Sequence, residues 1–185
     1  MLFSRPTLTE DRSHPNHWYN RAADLRASAG AIWYSNLDAV SEELGFGSGH
    51  DMGIACWNVY HMLCGLALEV IIKAVLVQRG VKGYETHEFS KLCKLLGVTT
   101  TPDEARLLAF YADAIFWIGR YPTPRNATDE KLRTSYERAD SVLYRRSKVS
   151  PSASLALVEP NGATDWPQFS ELCLKYANMF DHLRG

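Results

Sequence analysis

Several common chemistries are missing from this sequence. It has no Gly-rich phosphate loop closing on Lys-Ser/Thr, no GxGxxG after a strand and no HExxH, and no Glu-x-x-His spacing of the kind a di-iron bundle takes from its helices. The string Gly45-Phe46-Gly47-Ser48-Gly49 stands between helical segments and reads as a turn. Four cysteines in 185 residues, Cys56, Cys64, Cys93 and Cys173, form no CxxC pair and fall short of a disulfide scaffold. Cys56, His61 and Cys64 lie close together in sequence, but their helical spacing does not align them as ligands, so no metal and no other cofactor is expected. Charge of one sign is lacking too. Twenty Lys+Arg against 21 Asp+Glu exclude a globally basic nucleic-acid binder. The longest apolar run, residues 62–77, is broken by Glu69 and Lys73 and is shorter than the ~20 residues that cross a bilayer. The first ten residues lack the basic start and apolar run of a signal peptide. A soluble, cytoplasmic protein with reduced cysteines and no membrane partner is expected.

What is present is helical periodicity. A composition 46% apolar supports a packed core in a chain of one domain. Residues 1–15, with Pro6 and Pro15, read as a loose arm. From Trp18 through Ala22, Leu25, Ala29, Ile32, Trp33, Leu37, Val40 and Leu44 the steps of three and four predict a helix, with Gly30 a candidate break. A second helix is predicted from Asp51 to Gln78, apolar nearly all round and so central to a bundle. A short helix follows over residues 87–96, closed by Gly97. Thr101-Pro102-Asp103-Glu104 is a capping box that opens a third long helix with the stripe Leu107, Leu108, Tyr111, Ile115 and Ile118. A fourth begins near Thr128, faces inward with Leu132, Tyr136, Ala139 and Leu143, and carries Arg145, Arg146 and Lys148 at its end. Residues 150–164 read as loop, with 154–158 a candidate extended segment. A last helix after Asp165 carries Phe169, Leu172, Cys173, Tyr176, Phe180 and Leu183. The fold expected is all-α, a bundle of four to six helices over 16–148 with a loop and an extra C-terminal helix over 149–185 on the same domain.

The most distinctive segment is Trp117-Ile118-Gly119-Arg120-Tyr121-Pro122-Thr123-Pro124-Arg125, which sets two Arg and a Tyr at a helix–helix turn. Residues 120–148 carry a net charge of +4, leaving about −5 on the rest of the chain. Arg offers bidentate contacts to phosphate and Tyr a stacking face. The same pattern also fits a solvated helix face laced with i,i+4 pairs.

Taken in order, the motifs resemble the HEPN domain. They are Leu66-Ala67-Leu68-Glu69 with Lys73 in a long helix, His87 leading a short helix, and Arg120-Tyr121-Pro122 ending the third helix. The resemblance implies an up-down bundle that dimerises around a cleft, with a nucleotide, RNA or a nucleotidyltransferase-type protein as partner, sometimes within toxin–antitoxin or phage-defence modules. In nuclease members an Arg is followed four to six residues later by His. Arg120 fits the Arg, but Pro124, Arg125, Asn126 and Ala127 supply no His, which points away from nuclease activity. The resemblance thus marks Arg120, Tyr121 and Arg125 as candidate phosphate-binding residues. Glu69 and Lys73 are read as a buried pair or interprotomer contact, His87 as a helix anchor, and Trp57, Tyr60 and Phe116 as core or dimer contacts. Two alternatives stay open. One is a metal-independent ribonuclease whose base is His14, His17 or His87, with the string Arg12…His17 an out-of-place Arg-x4-His. The other is a structural subunit docking through Phe169, Tyr176 and Phe180.

Overall fold

In the computed structural model, residues 7–47, 49–123, 128–148 and 156–183 are described. The order is α1 (Leu8–Ser13), α2 (Pro15–Tyr34), α3 (Leu37–Glu43), α4 (Met52–Gln78), α5 (Phe89–Leu96), α6 (Pro102–Asp113), a π-helical turn (Ala114–Ile118), α7 (Asp129–Leu143), β1 (Tyr144–Lys148), β2 (Ala156–Pro160) and α8 (Trp166–Ala177). It is a helical bundle built around α4. Asp51 caps that helix, its side chain accepting from the Ile54 N–H at 3.1 Å.

By length and composition α4 could cross a membrane, but 72% of its most apolar window is buried by its neighbours. Leu68, Ile72, Val75 and Leu76 are fully enclosed. They are covered by α2, α5, α6 and α8, with α2 lying along most of α4. A helix apolar all round needs partners on every side, and these supply them. Gly65 permits one close approach. A Cβ there would sit 2.8 Å from the Tyr111 carbonyl oxygen.

The N-terminal arm differs from expectation, since residues 8–13 form a helical turn and a half. In it Thr7 Oγ1 and Glu10 bond each other, and Trp18 Nε1 donates to the Arg12 carbonyl at 2.9 Å. The long first helix does break, though at Ser35-Asn36 and not at Gly30. Asn36 caps α3 by accepting from the Ala39 N–H. Gly30 stays helical because α8 presses on it. A Cβ at that position would lie 2.7 Å from the Trp166 ring.

The capping residue Thr101 accepts from the Glu104 N–H as expected. Glu104 itself reaches α8, taking Lys175 Nζ and Tyr176 OH at 2.7 Å each. Burial pushes this carboxyl up, but the bonds from Lys175 and Tyr176 outweigh it and hold the group below its ordinary value. The inward face of α7 is turned by one residue from the predicted stripe. Ser135 and Val142 are buried, whereas Tyr136 is 56% exposed and meets Trp117 edge-on.

The basic end expected on α7 is instead a strand. Tyr144–Lys148 pairs antiparallel with Ala156–Pro160, Arg146 opposite Val158, forming a two-stranded ribbon. Arg145 pairs with Glu159 at 3.2 Å and Arg146 with Asp140. The C-terminal segment belongs to the core. Phe169, Cys173, Tyr176 and Phe180 are buried, so they form no docking surface. Gln78 clamps the chain end by donating to the Asp181 carbonyl and accepting from its N–H.

Candidate functional site

The site grows from two breaks in regular helix. One is the irregular stretch of residues 79–88 between α4 and α5, which brings His87 back against α4. The other is the π-helical turn that ends the third helix. There the Gly119 N–H reaches the Ala114 carbonyl five residues back, and Arg120 and Tyr121 both donate to the Trp117 carbonyl. A π-turn widens the helix by one residue per turn and re-aims its side chains. Here it leaves Phe116 49% exposed beside buried Ala114 and Ile115. The turn lies so tightly on α4 that any side chain at position 119 would overlap Met62. Only glycine allows that approach, and it sets where Arg120 leaves the bundle.

Of the two readings given for Glu69 and Lys73, a buried pair or an interprotomer contact, the structure shows the buried pair within the chain. Lys73 Nζ lies 2.8 Å from Glu69 Oε1, and the residues are 6% and 3% exposed. A third group joins them. His87 Nδ1 sits 3.0 and 2.9 Å from the two Glu69 oxygens. His87, read from the sequence as a helix anchor, thus has a carboxylate beside it. The loop folds back far enough for a carboxylate 18 positions away to meet the ring. The outer part of the imidazole stays open, with 53% of the side chain exposed, and its ring meets Phe116 edge-on at 5.6 Å between centroids.

Arg120 meets the backbone of the same Phe116. Its Nη2 donates to the Phe116 carbonyl at 2.7 Å and its guanidinium lies 5.5 Å from the Tyr121 ring centre. Tyr121 is itself 54% exposed. Arg125 lies outside the described residues. Of the other basic residues between 120 and 148, Arg133 faces Glu137, Arg138 faces Asp113, and Arg145 and Arg146 are paired as above. Asp113 also accepts from Ser135 Oγ at 2.9 Å. No carboxylate among the described residues pairs with Arg120.

The remaining candidates are dispersed. Tyr60 is core, donating to the Thr164 carbonyl at 2.9 Å, while Trp57 and Phe116 are largely exposed and so do not belong to the core. Arg12 and His17 line a shallow depression with Trp18, Arg21 and Val70 of α4, a lining that does not include Arg120. Cys64 is enclosed and burial raises its thiol; burial likewise takes Cys173 up to about 11. These are poor nucleophiles. His61 is buried in an aromatic nest of Trp57, Tyr60 and Phe110, which lowers it to about 3 through desolvation. An imidazole kept neutral there suits packing better than proton transfer.

No curated protein and no solved structure matches the chain. The family model of the HEPN domain matches residues 54–148, a span from the start of α4 to the end of β1 that covers just over half the sequence. It takes in Glu69, Lys73, His87, Phe116, Arg120 and Tyr121, and leaves out the two flanking helices, α2 and α8, that close the core. The chain therefore belongs to the HEPN domain family, which supports a nucleotide- or RNA-related role for it.

Proposed function

We propose that this HEPN domain binds RNA or nucleotide phosphate through Arg120 and Tyr121, acting as a homodimer. The observation that carries this reading is the uncompensated charge of Arg120. Arg133 and Arg138 on α7 and Arg145 and Arg146 on β1 face carboxylates, whereas Arg120 spends one donor on a carbonyl and keeps the rest for solvent. Guanidinium donors match phosphate oxygens bidentately. The exposed rings of Phe116 and Tyr121 beside it offer faces on which bases stack, worth about 1–3 kcal/mol per base. A dimer would double this surface and raise avidity for a polyanion. A partner protein with a phosphate-bearing ligand, of the nucleotidyltransferase type implied by the resemblance, would meet the same surface.

The test is fluorescence anisotropy with labelled mixed-sequence single-stranded RNA, with ATP and GTP as competitors, at two salt concentrations. Arg120→Glu should weaken binding by tenfold or more and flatten the salt dependence. Equal affinity of wild type and variant for every ligand would end the proposal. Light scattering at micromolar concentration decides the dimer.

A further inference from the structure

A second surface of the molecule is independent of the phosphate-binding reading. From Tyr34 to Val59, through α3, the loop after it and the first two turns of α4, none of the described residues is buried. Yet Leu44, Phe46, Ile54, Trp57 and Val59 all stand exposed on this stretch, Ile54 by 74%. The seven residues of α3 pack mainly against α4 and bury none of their number. A helix of two turns has almost no stability of its own. A soluble domain also rarely leaves a cluster of large apolar side chains open to water unless something docks on it.

The charge on this stretch is of one sign. Residues 27–72 contain no Lys or Arg, while Asp38, Glu42, Glu43 and Asp51 are all exposed. Asp38, Glu42 and Asp51 line one open bowl of about 700 Å³ together with Phe46, His50 and Met52. Phe46 stacks on His50 there, with ring centroids 4.2 Å apart. Asp51 is engaged as the cap of α4, but no cation among the described residues pairs with Asp38, Glu42 or Glu43. From the bowl, Ile54 and Trp57 continue along α4, and three residues of spacing put them on one face. The surface is thus apolar, edged by carboxylates, and without a positive charge of its own.

We propose that this face docks a basic amphipathic helix of a partner protein. Apolar side chains of that helix, recurring every three or four residues, seat on Phe46, Ile54 and Trp57. Lys or Arg beside them face Asp38, Glu42 and Glu43, which gives the encounter its direction and its register. Charge argues against the other covers. A second copy laid on the same face about a two-fold axis would set four carboxylates of each chain against the same four of the other, with no Lys or Arg in either stretch. Nucleic acid and anionic lipid are repelled for the same reason.

The test is selection of a displayed library of random peptides, about 18 residues long or five helical turns, against the whole protein. Enriched sequences should repeat apolar residues at helical spacing with Lys or Arg beside them. A labelled peptide from that set should bind saturably by fluorescence anisotropy and weaken as salt is raised. Ile54→Ser and Glu42→Lys, both at exposed positions, should each lose about tenfold or more in peptide affinity while keeping the wild-type melting temperature and RNA affinity. Ile54 is the better probe than Trp57, whose ring packs on His61. Amides of residues 37–59 should exchange quickly in the free protein and slowly with peptide bound. No enrichment, or enrichment of sequences without cations, overturns the proposal and leaves the Arg120 reading standing. Equal peptide affinity in wild type and both variants overturns it as well. Self-association that Ile54→Ser abolishes in light scattering assigns the face to a second copy and overturns the partner helix. RNA that fails to bind the wild type counts against Arg120 alone.

Discussion

Acidification from pH 7 to pH 5 should cost this fold about 2 kcal/mol through His61 alone. The ring is 1% exposed, its Nε2 has no hydrogen-bond partner, and the groups facing it are Trp57, Tyr60, Phe110 and Tyr111, none of which can compensate a positive charge. Desolvation lowers it from 6.5 to about 3. Between those values the unfolded chain takes a proton that the folded chain refuses. Stability is therefore intact above pH 6.5 and falls as pH drops toward 3. At pH 5 the unfolded imidazole is protonated by 1.5 pH units and the folded one is still neutral, so the loss is about 2 kcal/mol at 1.36 kcal/mol per unit. Glu104, held low by Lys175 and Tyr176, loses its contribution only as pH falls below its unfolded value of 4.5, outside this window. The assay is urea unfolding followed by tryptophan fluorescence at pH 7, 6 and 5, with His61→Phe as the comparison, since a phenyl ring fits the same aromatic nest. The other five histidines are exposed and contribute equally to both proteins. Parallel loss of stability in wild type and His61→Phe would refute the reasoning.

Gly65→Ala should lower stability by about 1–3 kcal/mol, because the new methyl meets Tyr111 backbone at 2.8 Å and Ile115 at 2.9 Å; calorimetry should show a melting temperature several degrees lower, whereas an unchanged one would mean the two helices can part at no cost. Phe169→Ala, at a position with no exposure, should cost about 3–5 kcal/mol in a denaturant titration, and a loss below 1 kcal/mol would show that α8 lies on the bundle without completing its core. Lys73→Met should cost about 3 kcal/mol by leaving Glu69 buried without its ammonium, and Glu69→Leu combined with Lys73→Met should recover most of that. A double variant no better than the single one would show that the pair is worth more than the apolar packing that replaces it.

Local chemistry made much of this protein legible from the chain. The all-round apolar pattern of α4 with Asp51 before it, the Thr101 cap and Pro102, Gly97 in the left-handed conformation after α5, and Thr128 before α7 each act within a turn of helix. The i,i+4 spacing of Glu69 and Lys73 puts them on one helix face for the same reason, and the fold decided that they pair within the chain. What a side chain does inside its own helix follows from sequence. The misread places share the opposite property. Arg145 and Arg146 suit a helix end, and they lie in β1 because a partner strand more than ten residues onward completes the ladder. Tyr136 falls one residue off the buried face because α6 decides which side of α7 it covers. Gly30 breaks nothing because Trp166 of α8 needs the space it leaves. The meeting of Glu69, His87, Phe116 and Arg120 is of this second kind. Position and spacing name those residues singly, but a loop return and one widened helical turn decide that they share a surface, and neither is written in any short stretch of chain.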